Sequence, residues 1–294
     1  MRSMATTLTL AALGLILSCT SAIPDLGLIA RVGRSALPIG PEKEREIGFG
    51  IAATVAGRYA LVGDEALTRY VNLVGRSVAL QSTRRGEIPF VFGVVDTDEV
   101  NAFAAPGGYV LLTRGALARM DSEAELAGVL AHEIAHVDET HVLDEIRRSS
   151  VLADARDEAQ LTGFIMDRLA EAGGSLLFTG LSREDELEAD SLGAIYAAAS
   201  GYRPDGLLRF LERLDEEAAA DSSLREWTAT HPSESDRVEA LRRQFAASDL
   251  DLTSGRDLPE RFRAAVHSTD PGPAEAERTG TPRPRPDKQG PRRP

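Results

Sequence analysis

Apolar residues recur at helical spacing over two stretches before residue 81. Pro41 opens one pattern that runs to about Val55, and Asp64 to Leu80 carries a second, with Leu67, Tyr70, Val71 and Val74 on one face. The period then shortens. "IPFVFGVVD" (88–96) is β-branched and aromatic, which predicts a strand. "GGYVLLT" (107–113) predicts another, with "NAFAAPGG" joining the two. From Ser122 onward helical spacing returns. Ser122 and Glu125 make a capping-box pattern at the head of one helix, and further helices are expected near 156–171, 182–199, 204–219 and 233–247. Helices, a small sheet, then helices predict an α+β domain that is mostly α.

The two ends do not follow these patterns. "MRSMATTLTLAALGLILSCTSA" has one positive charge, an apolar core from Leu8 to Leu17 and then small residues, as a signal peptide does. The apolar run is too short for a lasting bilayer span. Cys19, the one cysteine of the chain, follows "ILS" in a way that resembles a bacterial lipobox, in which that cysteine is lipidated. Cleavage near Ala22 with an incidental cysteine is the alternative. Thr20, standing where an aspartate would signal inner-membrane retention, points to the outer membrane. "STDPGPAEAERTGTPRPRPDKQGPRRP" (268–294) is rich in proline and charge and is expected to be disordered. The expected organisation is therefore a lipoprotein signal peptide over 1–18, a linker over 19–40, a working domain over 41–250 and a C-terminal extension over 251–294.

With 43% hydrophobic residues, the 294-residue chain can bury a substantial core. Its formal net charge of −13 argues against nucleic acid as a partner. A single cysteine excludes disulfides and thiolate metal sites within the chain.

The candidate chemistry begins with "AHEIAH" (131–136). Residues four apart share a helix face, so His132 and His136 can present two imidazoles to one metal. Glu133 projects about 100° round from His132, beside the metal, where a carboxylate can take a proton from an activated water. Chance produces this pattern in roughly one chain in a hundred. Leu126, Val129, Leu130, Ile134 and Val137 form the apolar stripe of the helix, and Glu133 falls inside it. A carboxylate there is costly unless something uses it. "SREDELEADSLG" (182–193) supplies candidates for a third ligand. Ser182 and Asp185 cap a helix, Glu186 and Asp190 share a face at i, i+4, and Gly193 lies one turn along that side, permitting close approach of the histidine helix. A solvated acidic face is the plain alternative.

"AHEIAH" and "EDELEADSLG", preceded by "NAFAAPGGYVLLTRG" and followed by "THPSESDR", together resemble the HtpX/CAAX-prenyl-protease family of zinc metallopeptidases. Within it the layout is similar to the soluble periplasmic lipoprotein branch that includes BepA and LoiP. The resemblance covers residues 41 to 245. It implies a zincin-like fold, one Zn2+ per chain held by His132, His136 and Glu186, Glu133 as general base, and Asp190 as the carboxylate behind a ligand histidine. The metzincin pattern does not fit, because the positions for its glycine and third histidine hold Glu139 and Val142. His141, one residue off, reads as a polar helix-end residue.

Two further motifs take meaning from the resemblance. In "NAFAAPGGYVLL", Gly107 and Gly108 allow close backbone approach, and an edge strand beside a zinc cleft can hold a peptide by strand addition, with Asn101, Ala102, Phe103, Ala104, Gly107 and Gly108 as the expected substrate-binding residues. An ordinary glycine turn is the alternative. In "THPSESDR", Ser233 and Asp236 cap a helix, and His231 either stabilises the oxyanion or closes the zinc as a fourth ligand. Arg237 is a second candidate for the oxyanion, or else pairs with a carboxylate such as Asp190. "GGSLLFTGL" (173–181) is read as core packing. The resemblance thus implies a zinc endopeptidase, lipid-anchored at the periplasmic face of the outer membrane. Its expected substrates are misfolded or stalled envelope polypeptides, with an envelope assembly complex as a further partner. The alternative is a chaperone-like assembly factor whose zinc site is closed by His231. Family members with transmembrane helices or helical repeats differ from this chain, which shows neither pattern, so cleavage of prenylated peptides within a membrane is not expected.

Overall fold

The computed structural model describes residues 39–148, 181–217, 221–231, 234–248 and 251–266. All of these fall in one unit that starts at Leu37. The signal peptide, Cys19, the helix expected at 156–171, the segment 173–180, Pro232, Ser233 and the tail from 268 lie outside the described residues.

Helix α1 (Pro41–Tyr59) starts at a proline, which is pre-set for the first helical turn. Helix α2 (Glu65–Ala79) is capped by Asp64, whose carboxylate accepts from the Ala66 and Leu67 amides. Three strands follow: β1 (Val91–Val95), β2 (Ala102–Ala105) and β3 (Tyr109–Thr113). The joining stretch "NAFAAPGG" is thus itself a strand ending in a tight turn, rather than a plain connection. The order in the sheet is β1-β3-β2. β3 pairs parallel to β1 and antiparallel to β2, with Ala102 opposite Leu112 and Ala105 opposite Tyr109. β2 therefore lies at an edge.

The turn Pro106–Gly108 has positive φ at both glycines. A Cβ on Gly107 would lie 2.6 Å from Arg45 Cα, and one on Gly108 would lie 2.6 Å from Ile88 Cγ2. The close approach these glycines permit is to α1 and to Ile88. Buried Glu44 holds the turn, accepting from the Gly107 amide at 3.0 Å and from both terminal nitrogens of Arg84.

After a short helix α3 (Arg114–Ala118) comes α4 (Glu123–Asp138), which carries the two histidines. Ser122 caps it by accepting from the Glu125 amide. Glu125 reaches back to the Asp121 amide instead of completing the box at Ser122. Every residue of α4 is buried. The helix does not have one apolar stripe on the core; it runs through the centre, against β2, α2 and two later helices. Next come α5 (His141–Arg148), α6 (Arg183–Ala199), α7 (Gly206–Glu217), α8 (Arg225–Thr230), α9 (Glu234–Ala247) and α10 (Pro259–Val266). The capping box of Ser182 and Asp185 is complete at the head of α6.

One main core joins α2, the sheet, α4, α6, α7, α9 and α10, with Val71, Phe92, Leu130, Phe210, Trp227 and Phe262 among its buried side chains. Each such side chain contributes about 1.5–3 kcal/mol through burial. Phe262 brings residues 251–266, expected as an extension outside the domain, onto that core. No described helix is long and apolar enough to cross a membrane.

Candidate metal centre

The centre of α4 meets the first three turns of α6. Gly193 makes this contact possible, because a Cβ there would sit 2.9 Å from the His132 amide nitrogen. Across the junction, His132 Nε2 and His136 Nε2 lie 2.9 Å apart, and each is 3.5 Å from an oxygen of Glu186. All three side chains are buried, so the reading of Glu186 and Asp190 as a solvated acidic face does not hold. Four-coordinate zinc, with bonds of about 2.0–2.1 Å to nitrogen and oxygen, separates its ligand atoms by roughly 3.3–3.4 Å. The 2.9 Å between the two Nε2 atoms, and the 3.5 Å from each of them to its own oxygen of Glu186, are of the size that such a tetrahedron requires.

The electrostatics also suit a cation. Burial works against charge on Glu186, but His231 and Arg237 beside it hold its carboxyl well below the usual range. Burial and Arg237 oppose a proton on His132, yet hydrogen bonds to Asp190 and Glu186 raise it to about 9. Burial and the charge on His132 then push His136 well below the ordinary histidine value. Two ionised carboxylates thus collect positive charge at the pair of Nε2 atoms, and a divalent ion would satisfy both nitrogens at once.

The other nitrogen of His132 lies against a carboxylate. Its Nδ1 lies 2.9 Å from Asp190 Oδ1. Arg237, fully buried, donates to both Asp190 oxygens at 2.8 and 2.7 Å and places Nη1 3.0 Å from Glu186. Of the two expectations for Arg237, the structure shows the pairing with Asp190. Burial would raise the Asp190 carboxyl, but Arg237 brings it below its ordinary value.

Glu133 is 1% exposed, and its Oε1 has no hydrogen-bond partner. Burial pushes its carboxyl above the usual range, with His231 and His132 opposing the rise. The nearest histidine nitrogen, His231 Nε2, stands 3.9 Å from Glu133 Oε1. A buried carboxylate oxygen left without a donor is an acceptor held in reserve.

His231 enters from the end of α8, an element that sequence spacing did not predict. Its amide donates to Trp227 O at 2.7 Å, and the Trp227 ring lies 4.5 Å from its own. His231 Nδ1 is 3.1 Å from Glu186 Oε2, while Nε2 faces Ala102 O at 3.5 Å. It belongs to the group of four side chains whose ligand atoms lie within 4.8 Å of one another. Its ring stands 5.5 Å from that of His132 and 6.2 Å from that of His136, against 4.4 Å between those two. Asn101 ties this segment to the sheet: Thr230 Oγ1 donates to Asn101 Oδ1 at 3.0 Å, and the Asn101 amide donates to Thr113 Oγ1. Ala102, Phe103 and Ala104 lie on edge strand β2 beside α4, while Gly107 and Gly108 face away into the fold.

Spacing alone missed one neighbour. His141 is buried at the start of α5, with its Nδ1 2.9 Å from His136 Nδ1. The available signal was its position five residues after His136, across a turn.

Two helices from distant parts of the sequence thus converge two imidazoles and a carboxylate beside a buried glutamate, one oxygen of which accepts no hydrogen bond. The sequence profile of Peptidase family M48 matches residues 65–244, which takes in all of these side chains. The chain belongs to peptidase family M48. Among its M48 relatives, the beta-barrel assembly-enhancing protease of Escherichia coli (strain K12) is 31% identical over 234 residues, covering 75% of this chain and 46% of that protein. The protein of the same name from Yersinia pestis is 31% identical over 236 residues, covering 75% and 48%. The mitochondrial metalloendopeptidase OMA1 of Arabidopsis thaliana is 32% identical over 149 residues, covering 50% and 30%. The chain spans about half the length of the bacterial relatives.

Proposed function

We propose that the protein is a zinc-dependent endopeptidase of the bacterial cell envelope, with one Zn2+ per chain held by His132, His136 and Glu186. The observation that carries this reading is Glu133 Oε1, buried and without a donor, beside three converging ligand atoms. A purely structural zinc site has no use for such a group. When bound, the ion supplies a Lewis acid for the peptide carbonyl and acidifies a water. Glu133 would take a proton from the attacking water on the carboxylate oxygen that accepts no hydrogen bond and would pass it to the leaving amine nitrogen. His231 Nε2, turned toward the carbonyl of Ala102, donates to the oxyanion of the reacting peptide. The β2 edge at Ala102, Phe103 and Ala104 holds the substrate backbone extended, with Asn101 fixing the strand end. Asp190, clamped by Arg237, orients His132 through Nδ1.

The proposed substrates are misfolded or stalled envelope polypeptides, in keeping with bacterial relatives named for β-barrel assembly. An assembly complex in the envelope is the proposed partner. Periplasmic placement by a lipid on Cys19, at the outer membrane, completes the reading.

The test is metal content of the purified protein beside two variants. One zinc per chain is expected in the wild type and is lost in Glu186→Ala. Glu133→Gln is expected to keep its zinc and lose proteolysis of an unfolded β-barrel substrate. Cleavage surviving in Glu133→Gln would remove the base assignment, and zinc retained in Glu186→Ala would move the third ligand elsewhere. A second reading has one observation in its favour, the place of His231 within the four-residue group. On that reading His231 closes the metal as fourth ligand, and the protein is a latent or chaperone-like assembly factor.

A further inference from the structure

His132 and His136 are equivalent in the motif but not in their surroundings. His132 Nδ1 faces a carboxylate, Asp190. His136 Nδ1 faces another imidazole, that of His141, at 2.9 Å, with the rings inclined at 71°. His141 is 1% exposed. Its far nitrogen, Nε2, lies 3.3 Å from Glu188 Oε2 and 3.6 Å from Asp185 Oδ1, both on α6. The turn that delivers it is unusual, since Thr140 has φ 58°, a left-handed conformation that a β-branched residue rarely adopts.

Two Nδ1 atoms at 2.9 Å share one hydrogen. If His136 uses Nε2 for the metal, its Nδ1 must carry that hydrogen, and His141 Nδ1 must accept it. His141 is then neutral with its own hydrogen on Nε2, which is where Glu188 and Asp185 stand ready to accept. Every atom in the chain His136, His141, Glu188 therefore finds a role under a single tautomer assignment. We propose that His141 is the positioning residue for His136, an imidazole acceptor backed by an acidic pair, doing for the second ligand what Asp190 does for the first. The proposal rests on the reading of His136 as a zinc ligand.

Zinc affinity, measured by competition with a chromogenic chelator, tests it in the full chain, with circular dichroism and melting of the zinc-free protein as the control for folding. His141→Phe keeps a ring in the buried space and removes the acceptor. It is expected to weaken zinc binding by about tenfold to a hundredfold. His141→Asn puts a carbonyl oxygen in the place of Nδ1 and is expected to restore affinity to near wild type. The visible bands of the cobalt-loaded protein should shift in the Phe variant and return in the Asn variant, which a merely structural role for His141 would not produce. Wild-type affinity in a folded Phe variant, or equal losses in Phe and Asn, would overturn the proposal. If the Phe variant does not fold, Glu188→Ala, on a half-exposed side chain, reads the outer link. It should lower affinity severalfold, and unchanged affinity there overturns the proposal as well. A wild type that binds no zinc removes the metal site itself, and with it the role of His141, which separates the two failures.

Discussion

His231 turns one nitrogen to Glu186 and the other to the carbonyl of Ala102, so its two proposed roles use different atoms. An oxyanion donor acts through Nε2, and its loss leaves the metal in place. His231→Ala should then lower kcat by about 10²–10³-fold with zinc content unchanged. A rise in activity on the same substitution would instead identify a site that His231 keeps closed. At this scale much of the centre was legible. Helical periodicity grouped His132, Glu133 and His136 and offered Glu186 and Asp190 as candidates on one face of another helix, while their roles came only with the family resemblance. The sequence offered pairing with Asp190 as only one of two roles for Arg237, and periodicity could not say that the guanidinium lies across both carboxylates, because those pairings span 47 residues to Asp190 and more to Glu186. Nor could it show that His141 folds back under His136, since the backbone reversal at Thr140 carries no glycine to mark it.

The junction of α4 and α6 is the element-level feature on which the centre depends. Gly193 sets the spacing of the two helices, and sequence spacing had already placed it on the correct face. Gly193→Val should force the helices apart where Glu186 meets the histidines. The expected cost is about 1–3 kcal/mol of stability from overpacking, together with a clear loss of zinc affinity, read by urea unfolding and chelator competition. Zinc affinity equal to wild type would show that the spacing has slack. Two other features, the strand β2 and the full burial of α4, escaped the sequence for physical reasons. β2 is "AFAA", too short and too rich in alanine to announce a strand, and its pairing with β3 defines it. α4 has apolar and small residues on every side, so its full burial became visible only when its neighbours were in place.

For the whole molecule, the far end of α4 is secured by an ion and hydroxyl cluster that links four elements. Buried Glu123 accepts from Tyr70 on α2 at 2.8 Å, from Tyr202 before α7 at 2.7 Å, and from Arg261 on α10. Burial alone would raise its carboxyl, but Arg261, Tyr202 and Tyr70 outweigh it and set the value below the ordinary 4.5. With the folded value depressed, the stabilisation is complete above the unfolded value and is lost as pH falls through the folded one. Acid unfolding should therefore steepen below about pH 4.5 by up to ~1.4 kcal/mol per pH unit from this group. In Glu123→Gln that part of the slope should vanish, and identical slopes in the two proteins would show that another carboxylate governs acid unfolding.

The same cluster explains why residues 251–266 looked separable from the domain. Phe262 and Val266 are the only apolar side chains of α10 larger than alanine apart from its first proline, and one i, i+4 pair gives too little periodicity to read. Local sequence determined what local physics controls: helices with their caps, the α+β class, and which side chains share a face. Tertiary structure alone decided which faces meet: the fit of Glu186 against two histidines, the clamp of Arg237, the edge position of β2 and the docking of α10. Those contacts join residues far apart in the chain, and their stability comes from burial and charge pairing that exist only after the elements have packed.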